Sequence, residues 1–170
     1  MQRRHFLGLL GAGGLAGLLP GLALARPQLE LKRAADIEPL ELSEAQWRER
    51  LTEEQFEVLR KAGTEAAGSS SLNDEKRPGV YHCAGCDLAL FDSETKFESG
   101  TGWPSFYDHI EGHLLSERDF VLLIPRTEYH CARCGGHQGH VFEDGPEPTG
   151  LRWCNNGVAL RFEPRQGGAA

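Results

Sequence analysis

Apolar positions near residue 50 recur at the spacing of a helix. Trp47 and Leu51 lie four residues apart, so both fall on one face of a helical turn. Ser43 followed three residues later by Gln46 is a capping-box pattern, which is typical of a helix start. The pattern predicts a short helix from Ser43 to Leu51.

A second capping box follows at once. Thr52 and Gln55 repeat the spacing, and Phe56 and Leu59 then line up on one face. Two basic residues come next, in the last turn, where cations favour the helix dipole. Gly63 is the residue expected to close this second helix, because glycine adopts the left-handed conformation at low cost.

The period changes from helical to alternating after a polar loop predicted at residues 66–79. Leu160 and Phe162 flank Arg161, which is the half-buried pattern of an antiparallel strand. Short strands separated by glycine and proline turns are predicted at residues 80–82, 88–91, 97, 120–124, 127–130, 140–142 and 158–162. The pattern therefore predicts a mainly β (α+β) fold with antiparallel sheets and short helices at the N-terminal end.

The first 25 residues have the pattern of an export signal. Arg3 and Arg4 precede an uncharged run rich in Leu, Gly and Ala, and residues 23–25 form an AxA cleavage pattern. The sequence RRHFL resembles a twin-arginine signal, which exports folded cargo. The alternative is a membrane anchor, but six glycines and one proline in a run of marginal length favour a removed signal. We expect a periplasmic protein with no stable membrane association after cleavage.

Charge excludes one class of partner. Beyond residue 25 the chain carries 16 Lys and Arg against 25 Asp and Glu, and no basic block interrupts this balance. Such a surface repels phosphate backbones, so nucleic acid is not expected as a partner. We divide the chain into a signal peptide at residues 1–25, a linker at 26–41, one domain at 42–166 and a tail at 167–170.

Four of the five cysteines form two CxxC pairs. Cys83 with Cys86 and Cys131 with Cys134 give the two-knuckle spacing of a tetrahedral four-cysteine zinc site. Glycines within or after the pairs allow the backbone to curl toward the sulfurs. A site closed by four thiolates stabilises the fold and leaves no coordination position for catalysis, so one structural Zn²⁺ is expected.

Other chemistry for the paired cysteines fits the pattern less well. Disulfides fit an exported protein, but a bond within a CxxC turn is strained and usually redox-active. A thioredoxin-like redox pair requires a βαβ pattern that this chain lacks, and a c-type haem requires a histidine where Asp87 and Gly135 stand. A zinc hydrolase or deaminase requires an open coordination position, which four thiolates do not leave. Structural zinc is the favoured interpretation.

The fifth cysteine, Cys154, is the candidate for chemistry. Arg152 lies two residues before it, and a nearby cation lowers a thiol pKa and raises the thiolate fraction. His137 and His140 supply groups that titrate near neutral pH. The alternative is that Cys154 is an inert buried thiol and both histidines are turn or core residues. Taken one at a time, these residues favour that alternative.

Longer motifs change the balance. The segments that carry a family resemblance are WRERLTEEQFEVLRKAGTE, GVYHCAGCDLALF, ESGTGWPSFYD, HCARCGGHQGHVFEDGPEPTGLRWCNN and VALRFEP. Together they resemble the methionine-R-sulfoxide reductase B family over nearly all of the chain beyond the signal. The resemblance implies two antiparallel sheets curved into an incomplete barrel, and reduction of the R epimer of methionine sulfoxide.

The resemblance also implies roles for individual residues. Cys154 in RWCNN matches the catalytic cysteine, whose thiolate attacks the sulfoxide sulfur, releases methionine and becomes a sulfenic acid. His137 and His140 in HQGHVF match the histidines that hold the sulfoxide oxygen and supply a proton. Trp103 in GWPSF matches the aromatic wall that contacts the substrate methyl group. The remaining substrate-site residues implied by the match are Arg152, Asn156 and Asp144.

Two positions depart from the family pattern. Many members have a resolving cysteine where this chain has Thr101, and many have a serine where it has Gly157. With four cysteines assigned to zinc, no internal thiol remains to reduce the sulfenic acid. We therefore predict a one-cysteine variant that uses an external thiol, either a thioredoxin-like protein or a small molecule.

A different class of function remains open at this point. A non-catalytic zinc-ribbon module that binds another exported protein accounts for the four paired cysteines, but it leaves Cys154, the histidines and GWPSF without a role. The expected substrate is methionine-R-sulfoxide in oxidised proteins, with free methionine sulfoxide left open. A monomer is expected.

Overall fold

The computed structural model describes residues 29–120 and 125–165. Two short helices come first, α1 (Glu44–Arg50) and α2 (Glu53–Lys61). Each begins at the predicted capping box, with the N-cap hydroxyls of Ser43 and Thr52 accepting from the backbone N–H groups three residues on. Both predicted helices are confirmed, since the local sequence satisfies the backbone donors of the first turn.

The end of α2 differs from the prediction by one residue. Ala62, not Gly63, takes the left-handed conformation, with φ of 53°. Both residues donate their backbone N–H to the Glu57 carbonyl. A Cβ on Gly63 would lie 2.9 Å from that same carbonyl oxygen. Glycine at 63 therefore allows a close approach of the chain rather than a positive φ.

Nine strands form two antiparallel sheets over the described ranges. They are β1 (Gly79–Cys83), β2 (Ala89–Asp92), β3 (Lys96–Phe97), β4 (Ser105–Phe106), β5 (Leu114–Asp119), β6 (Arg126–Cys131), β7 (His137–Phe142), β8 (Arg152–Asn155) and β9 (Leu160–Pro164). One sheet has the order β2-β1-β9 and the other the order β3-β4-β8-β7-β6-β5. The mainly β antiparallel class is confirmed, and neither strand order closes into a barrel within the part of the chain that the structure describes.

Six of the nine described strands were predicted from the sequence. Strands β1, β2, β3, β6, β7 and β9 overlap predicted segments, whereas β4, β5 and β8 were not predicted. Residues 121–124 of one predicted strand lie outside the described residues, as do residues 1–28 and 166–170, which include the signal and the tail. No helix among the described residues has the length and apolar character needed to cross a bilayer.

The segment before α1 packs along the domain without forming a helix or strand. Ile37 is buried in the core, and the backbone N–H of Leu40 donates to the Arg133 carbonyl at 2.7 Å. Leu31 donates its N–H to the Ser116 hydroxyl on β5. The described part of the predicted linker is thus attached to the larger sheet and to the second CxxC turn.

An aromatic core lies beneath β8. Trp153 is 1% exposed and packs edge-on against Tyr129, with ring centroids 5.0 Å apart, while Phe91 stacks on Phe106 at 4.2 Å. Successive side chains of a strand point to opposite faces. Burial of Trp153 on one face therefore directs its neighbour Cys154 to the other.

Candidate active site

Cys154 lies on β8, between two strands that supply the other predicted site residues. It pairs with His140 of β7 on one side and with Ser105 of β4 on the other. The two backbones are close here, because a Cβ on Gly139 would lie 1.9 Å from the Cys154 carbonyl oxygen. Only glycine fits at that position, and the thiol is held on a paired strand of the sheet rather than on a loop.

A cavity of about 120 Å³ opens beside the Cys154 side chain. Its lining comprises Thr64, Trp103, Arg126, Gly139, His140, Phe142, Cys154, Asn155 and Asn156. Four residues predicted from the sequence are thus brought together around one space. Two aromatic side chains, Trp103 and Phe142, give it an apolar wall next to a thiol and an imidazole.

Each histidine of the predicted pair is held by a carboxylate. His137 Nδ1 lies 2.6 Å from Glu128 Oε1, and His140 Nε2 lies 2.9 Å from Asp119 Oδ2. The two rings have centroids 5.6 Å apart. Contact with an ionised carboxylate places a proton on the contacting ring nitrogen, so each ring's orientation and proton are defined.

The two histidines differ in exposure. His137 is 4% exposed, lies outside the cavity lining, and its Nε2 has no hydrogen-bond partner among the described residues. His140 lines the cavity, and burial is the main reason that its pKa lies below the usual value. The Glu128 carboxyl has a strongly lowered pKa, because it accepts hydrogen bonds from His130 and His137. The Glu128 carboxylate is therefore the hydrogen-bond partner of the buried His137 ring, whose other nitrogen has none among the described residues.

Arg152 and Asp144 form an ion pair adjacent to the cavity. The guanidinium donates from Nε and Nη2 to the two Asp144 oxygens at 2.8 and 2.9 Å, and it lies 4.4 Å from the centre of the Phe142 ring. Neither charged residue belongs to the cavity lining. The guanidinium contacts the Phe142 ring of the cavity wall, and it lowers the pKa of the Cys154 thiol through both its charge and a hydrogen bond.

The expected lowering of the Cys154 pKa is wrong in its net direction. Burial raises the thiol pKa above the usual cysteine value, and this outweighs the lowering by the Arg152 charge and by a Thr101 hydrogen bond. The Asp144 charge adds to the increase. Proximity along the sequence correctly identified Arg152 as the cation near Cys154. It did not reveal that the thiol is buried or that the Asp144 carboxylate binds Arg152.

This balance predicts a pH effect of Asp144→Asn. Loss of the Asp144 charge removes one cause that raises the Cys154 pKa and leaves Arg152 without its carboxylate, so the pKa should fall. Because the thiolate is the reactive form, the pH midpoint for alkylation of Cys154 by iodoacetamide should move down. Mass spectrometry of the peptide that contains Cys154 measures this midpoint. Asp36→Asn, at an exposed position, is the control. An upward shift would contradict this electrostatic account.

Asn156 and Trp103 are anchored to the segment that follows α2. The Asn156 side chain donates to the Gln138 carbonyl at 3.0 Å and accepts from the Glu65 N–H at 3.0 Å. Trp103 Nε1 donates to the Glu65 carbonyl at 3.2 Å. Both predicted substrate-site residues line the cavity, and their polar atoms bond to backbone groups of the protein.

The four paired cysteines come together at a distance from this cavity. Their sulfurs all lie within 4.8 Å of one another, with Cys83 to Cys134 at 3.6 Å and Cys86 to Cys131 at 3.4 Å, and no disulfide is formed among them. Tetrahedral coordination with Zn–S bonds of about 2.3 Å places sulfurs roughly 3.8 Å apart. The buried, all-sulfur donor set therefore fits a zinc ion.

Both CxxC turns use the same backbone device. The residue after each second cysteine is left-handed, with φ of 61° at Asp87 and 66° at Gly135, and each donates its N–H to the carbonyl of the first cysteine. Gln138 Nε2 lies 3.4 Å from Cys83 Sγ. An amide donor toward sulfur is suited to a thiolate ligand, and Gln138 lies on β7 between the two site histidines.

Several residues around the cavity were not predicted. They include Thr64, Glu65, Arg126, Phe142, Asp119 and Glu128. Thr64, Glu65 and Phe142 lie inside motifs that were quoted from the sequence, so the motif context was a usable signal for them. The two carboxylates reach the histidines from β5 and β6, and that pairing depends on strand register.

The chain is similar to known proteins over most of its length. The SelR domain family matches residues 51–164. A peptide methionine sulfoxide reductase MsrB of Pseudomonas putida (strain W619) is 55% identical over 123 residues, which are 72% of this chain and 92% of the relative. The protein of that name from Methanosarcina barkeri is 52% identical over 130 residues, which are 76% of this chain and 92% of the relative. Chloroplastic peptide methionine sulfoxide reductase B1 of Oryza sativa is 47% identical over 126 residues, which are 74% of this chain and 59% of the relative.

Proposed function

Since the chain belongs to the SelR-domain family of MsrB peptide methionine sulfoxide reductases, we propose that Cys154 is the nucleophile of its reaction. The enzyme reduces methionine-R-sulfoxide to methionine with a thiol as the electron donor. One observation carries the assignment of Cys154: its side chain shares a small cavity with His140 and Trp103. The zinc-ribbon binding module is not favoured, because its four cysteines leave that cavity unexplained.

The proposed step transfers one oxygen atom. The Cys154 thiolate attacks the sulfoxide sulfur while the sulfoxide oxygen takes up a proton. The S–O bond then breaks, and the hydroxyl passes to the Cys154 sulfur as the transient S–S bond breaks, which gives methionine and a Cys154 sulfenic acid. The substrate sulfur is reduced by two electrons and the cysteine sulfur is oxidised by two. Because burial favours the neutral thiol by raising its pKa, Cys154 must lose its proton before the thiolate attacks.

The histidine pair is proposed to bind the sulfoxide oxygen and protonate it. Without a proton, the oxygen would depart as a strongly basic anion. The unpartnered Nε2 of His137 and the cavity-lining ring of His140 are the groups available for this role among the described residues. The Glu128 and Asp119 carboxylates hold both rings in a fixed orientation through their hydrogen bonds.

The remaining site residues are proposed to bind and orient the substrate. Trp103 and Phe142 form the apolar wall for the methyl group, and Asn156 fixes the end of β8. Arg152 and Asp144 set the potential at Cys154 through their ion pair. A sulfoxide is a neutral dipole bearing one methyl group, so an apolar wall opposite proton donors matches its chemistry.

A one-cysteine cycle is proposed for regeneration of the enzyme. Thr101 occupies the place of a resolving cysteine and is near enough to Cys154 to lower the pKa of its thiol, but it has no thiol of its own. The other cysteines belong to the four-sulfur cluster. An external thiol would then attack the sulfenic acid, releasing water, and a second thiol would free Cys154 as a disulfide forms between the donors.

Thr101→Cys tests this cycle. After one turnover without reductant, the variant should form a disulfide between the introduced cysteine and Cys154, whereas the natural chain should keep a sulfenic acid that dimedone traps. Peptide mass spectrometry under non-reducing conditions distinguishes the two products. A disulfide between Cys154 and another cysteine of the natural chain would contradict the one-cysteine cycle.

We also propose one structural zinc ion held by Cys83, Cys86, Cys131 and Cys134. The buried cluster of four free thiols supports the proposal. When bound, the metal cross-links the β1–β2 turn to the β6–β7 turn. The side chains of Arg50 and Arg60 also reach carbonyls of these turns, Gly85 at 2.6 Å and Cys134 at 2.8 Å.

Export to the periplasm by the twin-arginine route remains a proposal. It is supported by Arg3, Arg4 and the AxA pattern at residues 23–25. Because this route exports proteins that are already folded, zinc could bind the four cysteines in the cytoplasm before export. A monomer that acts on oxidised proteins, with a thioredoxin-like or small-molecule thiol as reductant, completes the proposal. N-terminal sequencing of the exported protein tests the cleavage site.

A further inference from the structure

Glu65 is a buried carboxylate that lies next to the active site without lining it. The residue is only 7% exposed, and Oε1 and Oε2 accept the backbone N–H groups of Gly157 and Val158 at 2.6 and 2.8 Å. Those two residues follow the catalytic strand, in the short 3₁₀ turn Gly157–Ala159. The carboxylate therefore caps the turn that connects β8 to β9.

The backbone of Glu65 makes two further bonds, to different parts of the site. Its N–H donates to Asn156 Oδ1 at 3.0 Å, and its carbonyl accepts from Trp103 Nε1 at 3.2 Å. One residue thus holds the aromatic wall with one group and the end of β8 with the others. Hydrogen bonds that join three segments through a single buried residue restrict their relative movement.

We infer that Glu65 is a positioning residue that sets the spacing between Trp103 and Cys154, and so limits the size of the group accepted on the sulfoxide sulfur. This inference rests on the proposed roles of Cys154 and Trp103. The cavity between them is only about 120 Å³, so a small outward movement of either wall admits a larger alkyl group. Glu65 acts through these neighbours and not on the substrate.

The chemistry of the side chain makes the inference testable. Two backbone donors require two acceptor oxygens, and glutamate supplies both. A glutamine amide would turn an NH₂ group toward one N–H, leaving two buried donors facing each other. Glu65→Gln should therefore loosen the 3₁₀ turn with almost no change in volume.

The experiment compares methyl and ethyl sulfoxides as substrates of the zinc-loaded enzyme. Glu65→Gln should raise KM for R-methionine sulfoxide more than it lowers kcat, and should reduce the preference for methyl over ethyl by about 10-fold. Ile37→Ala is the matched control, since it creates a cavity in the core away from the site. It should lower the thermal midpoint but leave KM and the preference unchanged.

A double-mutant cycle with Trp103→Phe tests whether Glu65 affects substrate preference through Trp103. Phenylalanine removes the indole N–H that contacts the Glu65 carbonyl. If Glu65 acts through Trp103, Glu65→Gln should change the methyl preference less in that background than in the natural chain. Unchanged preference and KM in Glu65→Gln, or full additivity in the cycle, would overturn the inference.

Two further variants, Cys154→Ser and Glu65→Asp, distinguish failure of this inference from failure of the proposed function. The natural chain and Cys154→Ser are assayed in parallel, so loss of activity only in the latter upholds the proposed function whatever Glu65 does. Glu65→Asp, which is too short to reach both N–H groups, should change KM and preference in the same direction as Glu65→Gln. If neither Glu65 variant yields a folded, zinc-loaded protein at low temperature, the residue is structural only and the inference is overturned.

Discussion

Cys154→Ser should lower kcat/KM for methionine-R-sulfoxide by at least about 10³-fold. A serine hydroxyl ionises far less readily than a thiol, and its oxygen is a much weaker nucleophile toward sulfur. No other described cysteine lies beside the cavity, because the remaining four are gathered in the buried cluster. The loss should appear in kcat, since the substituted atom takes part in the chemical step.

The same substitution should leave the protein folded. Cys154 is only partly buried, and serine differs from it by one atom. Calorimetry and metal analysis should therefore give a thermal midpoint and zinc content close to those of the natural chain. Retention of more than about a tenth of the activity in the folded variant would remove Cys154 from the mechanism.

Cys131→Ser should cause the opposite failure, a loss of folding. Structural zinc contributes on the order of 10 kcal/mol or more, and a domain of this size is stable by only about 5–15 kcal/mol. Cys131 is fully buried and pairs with Leu114 of β5, so a defective ligand here affects the larger sheet directly. The variant should lose stoichiometric zinc and its cooperative thermal transition.

Calorimetry, near-UV circular dichroism and mass spectrometry of the native protein measure this effect. Cys154→Ser is the matched control, because it is also a cysteine-to-serine change but outside the metal cluster. A Cys131→Ser protein that keeps the natural thermal midpoint would contradict the metal proposal. Opposite outcomes for the two variants would separate the structural thiols from the catalytic one.

Features determined by short stretches of sequence were predicted well. The capping boxes at Ser43 and Thr52 and the two CxxC turns depend on residues three or four apart, so their geometry follows from local chain chemistry. The strands with clear alternation were also predicted. These elements specify much of the helix and strand content before any long-range contact is known.

Features that depend on distant pairing were missed. Strand β8 reads Arg-Trp-Cys-Asn, which has little alternation, and it becomes a strand because β4 and β7 flank it. Strand β5 is largely polar and was missed for the same reason. The support of His137 by Glu128 and of Trp103 by Glu65 arises from strand register and loop packing, neither of which spacing along the chain reveals.

The pKa of Cys154 shows how tertiary structure reverses a local expectation. Along the chain, the nearest charge is Arg152, which favours the thiolate. In the fold, burial disfavours the charged sulfur, and Asp144 binds that guanidinium with both oxygens. Sequence context thus identified the reactive residue, while its ionisation depended on contacts made only after folding.

Turnover of the separate R and S epimers of a peptide methionine sulfoxide, with dithiothreitol as reductant, tests the central claim most directly. The protein should reduce the R epimer alone, and Cys154→Ser should abolish that turnover. Reduction of neither epimer by a folded, zinc-loaded protein, or reduction of the S epimer, would contradict the account.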